Sequence, residues 1–186
     1  MQSKQMQDAC IQLKQKMLKA FSTARKIEIG VTDPEVARYA AFVEFGWVQR
    51  VTPKQNYFFF KKGISKPPKP GSSLVNPARP FFRETIATHS SMWQKIFVNY
   101  LKAYGYDSLP DALTLVGNTA KSDFQETIAY GHVVGGASFE ERADLTIEMY
   151  SLDAVGHESD GTGSLSTRQP LNKSGDLLDS IAWRFK

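Results

Sequence analysis

Apolar residues recur at three- and four-residue spacing in several stretches of the chain, and the first stretch spans residues 3–22. Its apolar positions are Met6, Cys10, Leu13, Met17 and Phe21. Lysine and glutamine occupy other positions of the same helical wheel. This pattern predicts an amphipathic helix whose apolar face packs on the core.

A second helix is predicted over residues 35–45, and both of its ends are marked. Asp33 can accept hydrogen bonds from the first amide groups, and Pro34 suits a first turn because its missing N–H has no partner there. Gly46 is a plausible stop. The apolar positions of this helix are Val36, Tyr39, Ala40 and Val43.

The two longest helical patterns follow each other. Residues 80–104 form the longer one, which Gly105 ends, and its apolar stripe comprises Phe82, Ile86, His89, Trp93, Ile96, Tyr100 and Ala103. Because Phe81, Phe97 and Leu101 broaden the stripe, this helix is expected to contact two neighbours. The next helix begins near Ser108, with Ser108 and Asp111 in a capping arrangement, and ends at Gly131. Its apolar side comprises Leu109, Leu113, Val116, Ala120, Phe124 and Ile128.

Alternating patterns predict three strands in the first third of the chain. Residues 26–31 place Ile27, Ile29 and Val31 on one face. Two aromatic-rich strands, 47–52 and 56–61, are then expected to form a hairpin around the turn at residues 53–55. Consecutive strand residues point to opposite faces, so the run of three phenylalanines at 58–60 makes the second strand apolar on both faces.

The chain end, residues 169–186, combines a cap, a short helix and a strand. Ser174 can cap the helix and Asp176 lies in its first turn, where the macrodipole favours a carboxylate. Ile181, Trp183 and Phe185 then alternate with less apolar residues. Chain ends fray unless they are tied down, so this end is expected to dock as a strand that closes the fold.

Three segments are irregular or ambiguous. Residues 61–75, here called the basic arm, are rich in proline and contain Lys61, Lys62, Lys66 and Lys69. The arm is either a solvated loop or a contact for a neighbouring subunit or for DNA. Residues 138–152 favour a helix, with Ser138 and Glu141 as a capping box, over a strand. Residues 153–168 are expected to be an irregular loop.

Composition indicates one ordinary domain over residues 1–186. The chain is 41% hydrophobic and 23% charged, with a net charge of +4. This balance permits a polyanionic partner without requiring one. No segment is long and apolar enough for a membrane span, so no membrane partner is expected. Cys10 is the only cysteine, so a reducing cytoplasm is the expected place of folding.

The sequence does not indicate an enzyme, a cofactor or a metal site. The three histidines, His89, His132 and His157, are far apart and match no metal-ligand spacing. His89 lies on an apolar stripe and is expected to be a core histidine. A hydrolytic or metal cluster of His157 with Asp153 and Asp160 is the weakest hypothesis, because no nucleophile elbow or phosphate loop supports it.

Aromatic residues are in surplus outside the long helical stripes, at Phe42, Phe45, Trp47, Tyr57, Phe58, Phe59, Phe60 and Phe81. Exposing several such side chains invites aggregation, so a partner is expected to cover them. Aromatic residues with few charges among them are typical of an interface core.

Three motifs follow one another along the chain: Y-A-A-F-V-E-F-G at residues 39–46, P-A-R-P-F-F-R at 77–83 and P-L-N-K-S-G-D-L-L-D-S-I at 170–181. Together they resemble the neck proteins of tailed phages, which are head–tail joining, minor tail or tail-completion proteins of the lambdoid "gene ten" type. Residues 39–46, Y-A-A-F-V-E-F-G, resemble the family's Y-x-x-x-V-E-[FY]-G. Residues 77–83, P-A-R-P-F-F-R, resemble the entry to its long helix. Residues 170–181 resemble its C-terminal P-L-[IV]-D-T-G-x-L-x-x-S-I, although residues 172–174 replace the usual acidic-Thr pair.

The resemblance implies an α+β fold in which a small, mostly antiparallel sheet packs against helices. It implies a structural virion protein, assembled in the host cytoplasm as a homo-oligomeric ring, a hexamer rather than a dodecamer. The ring would join the portal–adaptor complex to the tail tube, or cap the tail tube as a terminator, around a DNA channel. An alternative of another class is a non-specific DNA-binding module.

These expectations select two sets of residues. The candidates for subunit contacts are Phe45, Trp47, Tyr57, Phe58, Phe60, Arg79, Phe81, Leu177, Ile181 and Trp183. The candidates for contact with DNA in the channel are Lys61, Lys62, Lys66 and Lys69.

Overall fold

A computed structural model of the chain describes residues 6–7, 10–16, 26–154, 171 and 175–186. In chain order the named elements are β1 (Ile27–Val31), α1 (Pro34–Phe45), β2 (Trp47–Arg50), α2 (Pro53–Lys61), β3 (Ser73–Asn76), α3 (Phe81–Tyr104), a 3₁₀ turn (Tyr106–Ser108), α4 (Leu109–Tyr130), α5 (Asp144–Ala154), α6 (Asp176–Asp179) and β4 (Ile181–Phe185). The architecture is α+β, as the sequence predicts, with mostly helical residues and short antiparallel strands.

Helices α3 and α4 pack against each other and supply much of the core. Phe81, Phe124 and Ile128 are fully buried at this contact. One polar pair lies among them, because the hydroxyl oxygens of Thr85 and Thr127 are 3.0 Å apart and share a hydrogen bond. Both predicted helices are confirmed almost to the residue. The reason is that their apolar stripes are long and end at glycine.

The chain end docks as predicted. β4 pairs antiparallel with β1, and Ile29 lies opposite Trp183 in the register. The Trp183 indole lies over α4 at Gly117, where an added Cβ would come within 2.5 Å of the ring. The indole N–H also donates to Asn118 Oδ1 over 2.9 Å. The terminal strand is therefore held by a backbone ladder and by α4.

Charged side chains cover the outer face of the β1–β4 pair. The Lys186 ammonium hydrogen-bonds to the Glu28 carboxylate, and the Arg184 guanidinium lies 3.3 Å from the second carboxylate oxygen. The Lys186 hydrogen bond, helped by Arg184, lowers the pKa of Glu28 below its ordinary value. All three residues lie at the surface, so these pairs contribute little to stability.

The predicted hairpin between residues 47–52 and 56–61 is wrong in its second strand. β2 pairs instead with β3, and Val48 lies opposite Val75. Residues 53–61 are helix α2, because Thr52 and Gln55 form a reciprocal capping box and Pro53 occupies the first turn. The phenylalanine run is therefore helical, and local capping overrides the strand preference of its aromatic residues.

Two predicted caps are also wrong. The Ser108 hydroxyl donates to the carbonyl of Gly105 over 2.6 Å instead of capping α4. Ser138 forms an isolated bridge with His132, and the predicted helix begins later, at Asp144. The predicted cap at Ser174 lies outside the described residues.

The N-terminal segment is helical where it is described, over residues 6–7 and 10–16. Its described residues are all exposed, including Met6, Cys10 and Leu13. The prediction that its apolar face packs on the core is therefore wrong for these residues. The amphipathic pattern predicts a helix, but it does not say which surface covers the apolar face of that helix.

None of the described helices is both long and apolar enough to cross a membrane.

Deleting residues 170–186 is expected to abolish cooperative folding. The deletion removes β4 and three buried aliphatic side chains, Leu171, Leu177 and Ile181. Each such loss costs about 2–5 kcal/mol, against a typical stability of about 5–15 kcal/mol. Thermal unfolding followed by circular dichroism checks this. Deleting residues 1–16 is the size-matched control and should leave the transition intact; a cooperative transition in the 1–169 protein would contradict the prediction.

Candidate assembly surface

The N-terminus of α3 is capped by a residue from another helix. Pro80 precedes α3 and offers no side-chain cap. Glu44 of α1 takes that role, because its carboxylate accepts from the backbone N–H of Phe82 at 2.9 Å and of Arg83 at 3.2 Å. The Arg83 side chain adds a third bond, from Nε to Glu44 Oε1 at 2.8 Å. One buried carboxylate thereby joins α1 to α3.

Gly46 lets the chain pass close to the segment that leads into α3. Its φ of 66° lies in the left-handed region, which favours glycine. An added Cβ would lie 2.6 Å from the backbone nitrogen of Ala78. The Arg79 N–H also donates to the Val43 carbonyl over 2.8 Å. The segments 39–46 and 77–83 therefore form one junction.

Arg79 is buried at this junction and links it by hydrogen bonds to the segment that precedes α5. Its Nε donates to the Glu140 carbonyl at 2.7 Å, and one terminal nitrogen donates to the Glu141 carbonyl at 2.8 Å. The other terminal nitrogen donates to Asn76 Oδ1 at 2.9 Å. The prediction that Arg79 contacts a neighbouring subunit is wrong, because its guanidinium is used inside the chain.

The C-terminal segment packs against the same junction. Leu171, Leu177 and Ile181 are buried in one cluster with residues from both other segments, namely Ala40, Val43 and Phe81. Phe81, Leu177 and Ile181 were predicted to contact another subunit, and burial in the core excludes this. Trp183 is half-buried against Gly117, so most of its ring is also used internally. The three segments distant in sequence thus build the fold itself.

Residues 47–76, here called the hairpin unit, connect the two segments of the junction. It consists of the β2–β3 ribbon, helix α2 and the proline-rich loop. Its buried apolar residues are Val51, Phe59 and Ile64. The loop folds back on the unit, since Asn56 Nδ2 donates to the Pro68 carbonyl at 2.9 Å and Gly71 N–H to the Val51 carbonyl at 2.8 Å.

A hydrogen bond links the loop of the hairpin unit to α5. The N–H of Ser65 donates to Glu148 Oε1 at 2.6 Å. Strands β2 and β3 pack extensively against each other. A two-stranded ribbon is marginal in water without a covered face.

Apolar side chains of the hairpin unit and of the α1 end face solvent. Phe58 is 47% exposed, Phe60 is 68% exposed and Phe45 is 67% exposed. Tyr57, Trp47 and Phe42 are also exposed. Val48 and Val75 are paired and exposed on one face of the ribbon, and Trp47 lies on the other. The Val48–Val75 face of the ribbon is therefore uncovered, whereas the Trp47 face is partly covered, since Leu74 and Asn76 on that face are half-buried.

The hairpin unit also concentrates positive charge. It contains six of the chain's 23 basic residues and none of its 19 acidic ones, so the rest of the chain has 17 basic against 19 acidic residues. All six cations are exposed: Arg50, Lys54, Lys61, Lys62, Lys66 and Lys69. Lys61 Nζ lies 5.6 Å from the centroid of the Tyr57 ring. The four lysines chosen from sequence thus belong to the same unit as four exposed aromatic residues, Trp47, Tyr57, Phe58 and Phe60.

The structure separates the predicted contact residues into two groups. Phe45, Trp47, Tyr57, Phe58 and Phe60 are exposed as an interface requires, although Phe45 also carries the Arg83 guanidinium 5.1 Å from its ring centroid. Arg79, Phe81, Leu177 and Ile181 are interior. Glu44 was not selected from sequence. Its signal was an acid in the last turn of a helix, where the macrodipole disfavours one.

The described residues contain no group of three His, Cys, Asp or Glu side chains placed to hold a metal ion. His89 lies where the apolar stripe predicts, stacked with Trp93 and with Nδ1 3.7 Å from Asp123 Oδ2. Asp123 also accepts from the Trp93 indole at 2.6 Å. The side chains of Asp153, His157 and Asp160 lie outside the part of the chain that is described.

Comparison with known proteins adds no relative: neither a family model, nor a curated protein, nor a solved structure matches the chain.

Replacing Glu44 by alanine should destabilise the protein by about 2 kcal/mol. The change removes the acceptor of the Phe82 and Arg83 N–H groups at the start of α3. Urea unfolding measures the difference. Glu35→Ala is the matched control on the same helix, because Glu35 is exposed and its ion pair among the described residues is with exposed Arg38, so about 0.5 kcal/mol or less is expected. Equal effects of the two substitutions would refute the capping role.

Proposed function

We propose that this chain is a structural subunit of the neck of a tailed phage. It assembles as a ring that joins the portal–adaptor complex to the tail tube. The observation that carries the proposal is the junction, where three family-like segments far apart in sequence meet around Glu44 and present the hairpin unit. A fold built from those segments is what shared ancestry with neck proteins requires.

The surface chemistry supports an assembly role over catalysis. A ring subunit needs two different contact surfaces, because a heterologous contact repeated around an axis closes. The exposed aromatic residues of the hairpin unit, including Phe58 and Phe60, suit one such surface. The tail-terminator role is a variant of the same proposal, in which the ring caps the tail tube and meets the adaptor later.

A second candidate function is non-specific DNA binding through the hairpin unit. Six exposed cations in a unit whose own sequence contains no acidic residue favour it. Such a surface contacts phosphates regardless of base sequence. Within a ring, Lys61, Lys62, Lys66 and Lys69 would serve the same purpose toward DNA in the channel.

The assembly proposal is tested by imaging the purified protein alone and with tail tubes or the adaptor ring from the same phage. Negative-stain micrographs and mass photometry are expected to show a ring, either free or seated on one of these partners. A monomer that joins neither partner would overturn the proposal. Tail tubes from an unrelated phage serve as the control for non-specific adhesion.

The DNA proposal has a separate test in fluorescence anisotropy with duplexes of unrelated sequence. Affinity should fall steeply between 50 and 200 mM salt, by about tenfold for every two phosphates that the protein contacts. Changing Lys61, Lys62, Lys66 and Lys69 to serine should abolish binding. Changing four exposed lysines elsewhere, Lys14, Lys16, Lys95 and Lys102, controls for net charge. If both quadruple variants lose affinity equally, the contact is not specific to the hairpin unit.

A further inference from the structure

We infer that the hairpin unit of one copy docks on the body of a second copy, where the body is the rest of the chain. The contact is heterologous, and pairing between two hairpin units is disfavoured. The inference rests on the proposed ring and names the surface that links its subunits. Three observations carry it: exposed apolar area, its distribution over two faces, and the division of charge.

The exposed apolar area is close to what one partner contributes to a stable contact. The large exposed side chains of the hairpin unit are Trp47, Val48, Tyr57, Phe58, Phe60 and Val75. At about 150–250 Å² for each buried aromatic side chain, their exposed parts amount to on the order of 600 Å². A standard interface takes about 800 Å² from each partner. An exposed apolar area of this size lies at the upper end of what monomers leave in water, where such patches are often interaction sites.

The distribution of these side chains constrains the shape of the partner. Val48 and Val75 lie on one face of the ribbon and Trp47 on the other. A flat surface can cover only one of these faces. A second copy that receives the unit along an edge or in a groove can cover both.

Charge selects the body of the second copy over its hairpin unit. The hairpin unit has six cations and no acid, whereas the remainder has 17 basic and 19 acidic residues. Two hairpin units therefore repel each other, which disfavours an isologous contact between them. A hairpin unit and a body attract, and that contact leaves the partner's own hairpin unit available for a third copy.

The same observations favour a protein over DNA as the occupant. Phosphates would satisfy the lysines but would leave Phe58, Phe60 and the paired valines in water. A protein surface of slightly negative charge covers the apolar side chains and meets the cations together. In a ring, the cations also speed the encounter of subunits.

Photo-crosslinking with isotope labels tests the inference in the full chain. A benzoylphenylalanine at position 60 is placed in unlabelled protein, which is mixed with ¹⁵N-labelled protein and irradiated. Mass spectrometry should find crosslinks between unlabelled and labelled chains, from position 60 to residues outside 47–76. The same probe at Tyr104, which is equally exposed at the end of α3, reports background contact. Crosslinks only within one chain, only between two hairpin units, or none between copies would overturn the inference.

A substitution pair gives an independent readout. Phe58→Ser with Phe60→Ser should weaken self-association at least about tenfold, as expected for interface anchors. Tyr104→Ser should change it less than about twofold. Sedimentation velocity measures the association, and circular dichroism confirms that each variant is folded. Unchanged self-association of the double variant would overturn the inference.

Two further measurements distinguish failure of this inference from failure of the proposed neck function. If added duplex DNA abolishes the crosslinks between copies while anisotropy shows it bound to the hairpin unit, DNA is the occupant and the inference is overturned. If the double variant still forms rings on tail tubes, the inference fails while the proposed neck function stands. If wild-type protein neither self-associates nor joins tail tube or adaptor, both fail.

Discussion

The helix α3 begins without a cap of its own, and the rest of the structure depends on how Glu44 supplies one. A helix start leaves backbone N–H groups without partners, and the side chain of Pro80 has no hydrogen-bond acceptor to offer them. The Glu44 carboxylate satisfies two of these groups and binds the Arg83 side chain. This places the end of α1 against the start of α3, so β2 and β3 leave the body side by side.

The consequence is a division of labour along the chain. The side chains that are buried at the junction, such as Phe81 and Ile181, are not available to a partner. The hairpin unit has the opposite character, since it buries few side chains and exposes aromatic residues among lysines. Most of the buried side chains lie in the body, and most of the exposed aromatic residues lie in the hairpin unit or at the adjoining end of α1.

The accuracy of the sequence predictions followed the range of the interactions involved. Helices α3 and α4 were predictable because twenty or more residues of apolar periodicity leave little choice, and glycine marks their ends. The chain-end strand was predictable because Ile181, Trp183 and Phe185 alternate. The α2 segment was mistaken for a strand, because its aromatic residues suit a strand while the decisive capping box involves only Thr52 and Gln55.

The candidate surface was partly predictable for a related reason. Sequence reasoning selected Tyr57, Phe58, Phe60 and the four lysines because they are unusual in composition. It also selected Arg79, Phe81, Leu177 and Ile181, because a motif does not reveal whether its residues face inward or outward.

By itself the sequence determined the long helices, the docking of the chain end and the concentration of cations without acids between residues 47 and 76. These follow from local periodicity, from alternation and from composition. Only the tertiary structure decided that β2 pairs with β3, that Glu44 caps a helix 38 residues away along the chain, and that Trp183 requires a glycine at position 117. Each of these is a contact between segments far apart in sequence, and its geometry exists only once the chain has folded.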